Sequence, residues 1–227
     1  IGKMGAEHLL ERGFKRFGYC GYKGVAWSKR REESFVKTID QKSSGSCSLY
    51  NSTWQGRGAR NWEDEQRCII EWLQTLTPPF AVMACNDIRG RQIIDACSEL
   101  DLAVPEQVVV VGVDDDELLC RMCSPPLSSV IPNAQAVGFR AAEVLASLMD
   151  GKSPASEVQL IEPLGVATRQ STDVVAIDDP DIAAALRYIR EYACRGITVA
   201  EVVRDNSVSR STLERQVRKY LGRTPQE

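Results

Sequence analysis

The 227-residue sequence lacks several patterns on which common enzymatic functions depend. It has a single histidine, His8, and shows no second catalytic residue with which this histidine would form a nucleophilic triad. Phosphate-binding loops, oxyanion-hole motifs and metal-ligand clusters are lacking as well, so we expect no enzyme, no catalytic residues, no metal and no cofactor. Residues 2–12 predict an amphipathic helix, and we place His8 on its solvent-exposed side.

Long apolar runs and paired cysteine motifs are also lacking. No run approaches the ~20 residues of a membrane-spanning helix, and the first residues lack the hydrophobic region of a signal peptide. The eight cysteines follow no disulfide framework. Cys120 and Cys123 have metal-like spacing but no second pair. We therefore interpret the cysteines as reduced, buried thiols in a cytoplasmic protein without a membrane partner.

Charge is unevenly distributed along a chain of otherwise ordinary globular composition, 43% hydrophobic and 26% charged. Residues 187–227 hold nine Lys and Arg against five Asp and Glu, a net charge of +4. Because the whole chain carries −3, residues 1–186 carry −7. An acidic body with a basic tail suggests two tasks, and the tail is a candidate for binding nucleic acid.

Short apolar runs alternate with amphipathic helical segments through most of the sequence. The runs at 80–85 and 108–113 are typical of strands buried on both faces of a sheet. This alternation predicts an α/β fold with a doubly wound parallel sheet over residues 1–169. A polar linker follows at 170–180, and residues 181–227 predict a small all-α segment.

Polar and aromatic side chains follow the predicted strands, where open parallel sheets bind ligands. A carboxylate accepts two hydrogen bonds, an amide both donates and accepts, and a guanidinium donates to two oxygens. A tryptophan can cover the apolar face of a sugar ring. The set therefore suits a neutral polyhydroxy ligand. Its predicted members are Trp27, Arg31, Asn86, Asp87 and Asp114.

Each of these residues also has a purely structural interpretation. Asn86 is suited to cap the following helix, and Asp115 and Asp116 are suited to cap theirs. Arg31 can be one solvated charge among several, and Trp27 can be ordinary loop packing. Trp54, close to Gly56 and Gly58, is interpreted as structural rather than as a ligand contact.

A family resemblance bears on the choice between ligand binding and a purely structural role for these residues. The stretch VVVVGVDDDELLCRMCSPPLSSVIPN (108–133), followed by GFRAAEVLASLM (138–149), resembles the sugar-binding core of LacI-type repressors. The resemblance implies a periplasmic-binding-protein-like lobe in which Arg31, Asn86 and Asp114 touch the effector. Because EHLLERGFKRFGYCG resembles the start of that family's carboxyl-terminal lobe, we expect one lobe, the hinge and one helix of the other lobe. We expect that helix to expose Val137, Ala141, Val144 or Leu145.

The basic tail carries a second resemblance. ITVAEVVRDNSVSRSTLERQVRKYLGRTP (197–225) resembles the first helix-turn-helix unit of AraC-type regulators, in which the second helix enters the major groove. The resemblance implies base contacts by Ser211, Glu214 and Arg215 and phosphate contacts by Arg210 and Arg218. The predicted DNA-binding set is Ser209, Arg210, Ser211, Thr212, Glu214, Arg215 and Arg218.

The combination of the two parts resembles the bacterial xylose-operon regulators. It implies a sugar-responsive transcriptional regulator that binds D-xylose or a related pentose, binds double-stranded DNA and forms a homodimer in the full-length protein. A transport-type sugar-binding protein and a regulator responding to a purine or another effector remain as alternatives. Because a short linker joins the parts, we expect closure of the lobes to act on DNA through residues 168–180.

Overall fold

A computed structural model describes residues 1–152, 158–173, 179–221 and 224. The helices and strands, in chain order, are α1 (Gly2–Leu10), β1 (Arg16–Lys23), α2 (Ala26–Lys42), β2 (Ser46–Thr53), α3 (Trp62–Gln74), β3 (Phe80–Ala84), α4 (Asp87–Glu99), β4 (Val108–Val113), α5 (Glu117–Met122), β5 (Ser128–Ile131), α6 (Ala134–Met149), β6 (Gly165–Ala167), α7 (Pro180–Tyr192), α8 (Val199–Asp205) and α9 (Arg210–Leu221). Short 3-10 helices lie at Gln170–Thr172 and Ala193–Arg195.

The described strands form one sheet in the order β2-β1-β3-β4-β5-β6. Neighbours from β2 to β5 are parallel, and the edge strand β6 pairs antiparallel with β5. All six residues of β4 are buried, as the unbroken β-branched run predicts for a central strand. The predicted doubly wound parallel α/β sheet is therefore confirmed, with one antiparallel strand added at its edge.

Helices cover both faces of the sheet because successive strand residues point to opposite sides. On one face, Val109 and Val111 of β4 belong to the hydrophobic cluster that includes α1 and α2. On the other face, Val108 and Val110 belong to the cluster that includes α3 and α4. This arrangement brings the carboxyl ends of β1 to β4 together at one edge of the sheet, where a ligand site can form.

The start of the predicted linker is packed into the α/β body. Ser171 and Thr172 are fully buried, and the Ser171 hydroxyl donates to the Val110 carbonyl at 2.6 Å and accepts from the Ser128 amide at 2.8 Å. The chain therefore stays anchored to the central strands through Thr172. Residues 174–178 of the predicted linker lie outside the described residues, and the division at 170–180 stays a prediction.

The expectation that His8 is solvated is wrong. His8 is only 8% exposed, and its Nε2 hydrogen-bonds to the Thr172 hydroxyl at 2.9 Å. Arg12 faces His8 Nδ1 at 3.2 Å and also donates to the Thr172 carbonyl. The sequence pattern placed the imidazole on the polar side of α1, but that side packs against the 3-10 helix at 170–172 rather than against water.

Helix α6 has no buried residue, although it is rich in apolar side chains. Val137 is 51% exposed and Leu145 is 59% exposed, and Ala141 is exposed as well. The predicted exposure of this helix is confirmed. Leu160 and Leu164, in the extended chain before β6, are also exposed.

The three helices at the end of the described chain pack on one another. Thr198 forms a reciprocal capping box with Glu201 at the start of α8. The Ser209 hydroxyl accepts from the Thr212 amide and caps the start of α9. Leu213 and Val217, four residues apart on α9, are buried between the helices.

No helix in the described parts of the chain is long and apolar enough to cross a membrane. The eight cysteines are free thiols, and five of them are buried. Burial raises the pKa of the Cys97 thiol to about 12, so that this side chain behaves as a small apolar group.

Candidate functional site

Arg31 and Asp114 meet at the carboxyl edge of the sheet. Arg31 projects from the first turns of α2, and its Nη2 lies 3.1 Å from Asp114 Oδ1. The same guanidinium donates to the Cys85 carbonyl at the end of β3 and lies over the Trp27 ring, with Cζ 4.9 Å from the centroid. Three of the predicted ligand-binding residues are thus brought together.

The backbone after β4 is strained at this point. Asp114 has φ +108° and Asp115 has φ +52°, a region that non-glycine residues rarely occupy. The surroundings hold both residues there, because the Asp114 amide donates to the Val130 carbonyl and the Asp115 amide donates to the Ser129 hydroxyl. Backbone strain of this kind is concentrated at functional sites.

The two carboxylates of this turn face different partners. The Asp114 side chain is 49% exposed, and only one of its oxygens has a partner among the described residues. Asp115 turns the other way and forms an ion pair with Arg169 at 2.7 Å. Asp114 therefore offers an acceptor to a ligand, whereas Asp115 ties the turn to the chain before the linker.

Asn86 and Asp87 stand behind this edge. The Asn86 side-chain oxygen accepts from the Arg89 amide, which makes the residue the N-cap of α4, and its amide nitrogen donates to no described residue. Asp87 is 3% exposed; it accepts from the Ser129 hydroxyl at 2.6 Å and the Asp116 amide at 2.8 Å. Burial raises the pKa of Asp87 to about 6.

Asp87 thereby shapes the turn that carries Asp114. Its carboxylate approaches Gly112 so closely that a Cβ at that position would lie 2.2 Å from Asp87 Oδ1. Only glycine permits this approach, which explains the interruption of the valine run at position 112. The structure places Asp87 as a support for the turn, and the predicted contact between Asp87 and a ligand stays a prediction.

Three aromatic rings form a wall beside Arg31. Trp27 packs edge to face against Tyr22 and Trp54, with centroids 6.1 and 5.8 Å apart, and Tyr22 lies 5.7 Å from Trp54. Trp54 is 46% exposed. Neither Tyr22 nor Trp54 is in the predicted set, although both lie at the ends of strands, and this position is the signal that singles them out.

Arg169 is the third residue outside the predicted set. Besides its pair with Asp115, it donates to the Leu127 carbonyl at 3.0 Å, just before β5. The Ser128 hydroxyl accepts from the Arg169 amide and from the Thr172 hydroxyl. A chain of direct contacts therefore runs from the Asp114–Asp115 turn to the anchored residues at the start of the predicted linker.

The predicted DNA-binding residues lie along one accessible side of α9. Ser209 caps the helix, Arg210 pairs with Glu214 at 2.9 Å, and Thr212 is half-buried. Ser211, Arg215 and Arg218 are exposed, and neither arginine has an ion-pair partner among the described residues. In the described part of the chain, no group of three or more His, Cys, Asp or Glu side chains is arranged to hold a metal ion.

Comparison with known proteins connects this geometry to a family. Residues 6–172 match the sequence profile of the periplasmic binding protein-like domain. The xylose operon regulatory protein of Escherichia coli K12 is 34% identical over 222 residues, which cover 96% of this chain and 55% of that protein.

Comparison with solved structures also finds a similar xylose regulator. The xylose-binding transcription activator xylR superposes with a TM-score of 0.81 at 32% identity, covering 99% of this chain and 59% of xylR. A dimeric Lac repressor with an 11-residue carboxyl-terminal deletion superposes with a TM-score of 0.63 at 19% identity, over 78% of this chain and 61% of the repressor, which shows a shared fold. The chain spans about half the length of the relatives it matches. By its match over residues 6–172, the chain belongs to the family of periplasmic-binding-protein-like domains.

Proposed function

We propose that this chain is the effector-sensing part of a sugar-responsive transcriptional regulator that binds D-xylose or a closely related pentose. The observation that carries the proposal is the Arg31–Asp114 pair, held at the uncovered strand ends beside Trp27. The similarity to the xylose operon regulatory protein and to xylR supports the pentose as effector. Such a regulator works in the cytoplasm, where it meets its operator.

The chemistry of the pair suits sugar hydroxyls. Asp114 has a carboxylate oxygen available to accept from a hydroxyl, and Arg31 and the Asn86 amide supply donors for hydroxyl oxygens. The Arg31 side chain is only 15% exposed, so a hydrogen bond to a ligand is shielded from water and strengthened. Trp27 provides an apolar surface for the carbon-bound face of the ring.

Transmission to the output helices follows the contacts through Arg169. A ligand shifts an equilibrium only through contacts that differ between two states. A sugar that engages Asp114 changes the turn shared with Asp115, and the Asp115–Arg169 ion pair passes this change to the 3-10 helix at 170–172. We propose that this route positions the α7–α9 unit.

The α9 helix supplies the DNA-reading surface in this proposal. Ser211, Glu214 and Arg215 are assigned to base edges, Arg210 and Arg218 to phosphates, and Ser209 and Thr212 to the helix start. A homodimer of the full-length protein places two such helices on successive half-sites. The dimeric state of the Lac repressor, which shares the fold, is consistent with this arrangement.

Fluorescence titration of the full-length protein with D-xylose, other pentoses, hexoses and purines tests the proposal. Trp27 and Trp54 lie at the site and report on its occupancy. We expect saturable binding of D-xylose or a related pentose in preference to purines. If the protein binds a purine and no sugar, the effector is a purine rather than a pentose. If bound pentose leaves operator affinity unchanged, the regulatory role is excluded.

A further inference from the structure

A cavity of about 220 Å³ borders the aromatic wall. It opens between the ends of β1 and β2 and the amino-terminal ends of α3 and α4, and Tyr22 and Trp54 are among its lining residues, whereas Arg31 and Asp114 are not. Its volume is below the ~300–1,000 Å³ of drug-sized sites and suits a ligand the size of a monosaccharide.

The floor of the cavity is a buried ion pair. Arg89 and Glu65 side chains are 2% and 7% exposed, and their Nη1 and Oε1 atoms lie 2.8 Å apart. Arg89 also donates to Gln92 Oε1 at 2.7 Å, and its Cζ lies 4.3 Å from the centroid of Tyr22. A buried pair with this many partners is held rigidly.

The rim of the cavity is aromatic and exposed. Trp54 is 46% exposed and Trp62 is 48% exposed, and neither indole N–H makes a hydrogen bond to any described residue. Two large rings at the mouth of a small polar cavity provide flat apolar surfaces for a ring-shaped ligand. Their N–H groups are additional hydrogen-bond donors at this rim.

The cavity is rich in donors and carries one excess positive charge. Arg60 lies 3.6 Å from Glu65, beyond a close hydrogen bond, and its side chain is 46% exposed. Glu65 Oε1 pairs with Arg89 and accepts from the Tyr50 hydroxyl at 3.0 Å, and Glu65 Oε2 is the atom that faces Arg60. The Gln92 amide nitrogen donates to no described residue. Two guanidinium groups against one carboxylate leave a net charge of +1 facing the cavity.

We propose that this cavity is a second binding site, for a monosaccharide-sized sugar acid. The hydroxyl oxygens of the ligand accept from the indole and amide N–H groups, and its ring packs between Trp54 and Trp62. The carboxylate pairs with the Arg60 guanidinium, whose planar fork matches it. The site is separate from the pentose site of the proposed function but shares the Tyr22–Trp54 wall with it.

Calorimetric titration of the intact protein with D-glucuronate and with the neutral D-glucose tests the proposal. We expect D-glucuronate to bind about threefold to tenfold more tightly, the range for a partly exposed charged contact. Arg60→Gln should remove this preference and leave glucose binding unchanged. Arg57→Gln, an exposed arginine in the same loop outside the cavity, is the matched control and should keep the preference. Trp62→Ala should weaken both ligands.

Asp114→Ala separates the two sites. This variant should weaken D-xylose and leave D-glucuronate affinity unchanged, so failure of the pentose site and failure of the second site give different results. Equal affinity for acid and neutral sugar, no binding of D-glucuronate, or loss of D-glucuronate binding in Asp114→Ala would each overturn the second site. Far-UV circular dichroism verifies that every variant is folded.

Discussion

Asp114 combines an unfavourable backbone conformation with an open carboxylate oxygen. Asp114→Asn keeps the side-chain shape and tolerates positive φ, but it removes the charge that Arg31 faces. We expect the full-length variant to bind D-xylose at least about tenfold more weakly, because a hydrogen bond to a charged group is worth roughly 1.5–3 kcal/mol. Titration calorimetry measures the change.

Asp40→Ala removes an exposed carboxylate from the other end of α2 and is the control for this measurement. Its affinity for the pentose should equal that of the wild type. A pentose affinity in Asp114→Asn that equals the wild type would move the site away from the Arg31–Asp114 pair.

Two buried groups change the free energy of unfolding in opposite directions as pH rises from about 4 to 6.5. Burial, followed by the charge of Arg12, lowers the pKa of His8 to about 4, so its contribution to stability is lost as pH falls below the unfolded value of 6.5. Burial raises the pKa of Asp87 to about 6, so its contribution is lost as pH rises above the unfolded value of 3.8.

His8→Gln should remove the contribution of His8 to the pH dependence of stability and leave that of Asp87. Glutamine can still donate to the Thr172 hydroxyl but does not titrate, so the free energy of unfolding should rise less with pH than in the wild type. The difference between the two proteins across this range should be at most about 3 kcal/mol. Urea unfolding at several pH values measures it. Parallel pH profiles for the two proteins would show that the imidazole titrates normally in the folded chain.

At the level of secondary-structure elements, Arg169 connects the turn after β4, the start of β5 and the 3-10 helix at 170–172. Arg169→Gln removes the ion pair to Asp115 and keeps a shorter polar group. We expect pentose affinity to change by less than about threefold, because a half-buried pair is discounted by solvent screening. The effect of the sugar on operator affinity should be largely lost in the full-length protein.

Arg121→Gln is a matched change, since Arg121 forms an exposed pair with Glu117 on α5 and touches neither the turn nor the linker. Fluorescence anisotropy of labelled operator DNA, with and without sugar, compares the two variants. A full sugar response in Arg169→Gln would assign the transmission to another contact.

Local patterns account for the elements that the sequence predicted well. The run at 108–113 forms the strand β4 with the predicted bounds, because an unbroken run of β-branched residues is a local property of the sequence. The Arg31–Asp114 meeting followed from the rule that parallel strands end at one edge.

Contacts between distant segments could not be predicted in the same way. His8 meets Thr172 across 164 positions and Arg169 meets Asp115 across 54 positions, and neither pair leaves a periodic signal in the sequence. Helical periodicity assigns a polar residue to the outside of α1. Only the position of residues 170–172 determines that this outside is covered.

At the level of the whole molecule, coupling between the body and the α7–α9 unit depends on where the chain leaves the body. Thr172 is buried and Asp173 is exposed, so an insertion that tests the coupling belongs after Asp173. A flexible Gly/Ser stretch there should leave pentose affinity unchanged and abolish the effect of sugar on DNA binding.

The control is an insertion of the same length in the exposed loop at Gly56–Arg57, which should preserve the sugar effect. Operator binding with and without sugar is measured for both proteins. If the insertion after Asp173 retains the full response, the signal travels through the dimer interface instead.

The anchored residues Ser171 and Thr172 also have an evolutionary consequence. Because their hydroxyls are fixed to β4, β5 and α1, the sensing body ends at a defined residue whatever follows it. A gene fusion that joins a different output module after Asp173 would keep the hydrogen bonds that Ser171 and Thr172 make to the body. A junction built this way favours the exchange of output modules between regulators.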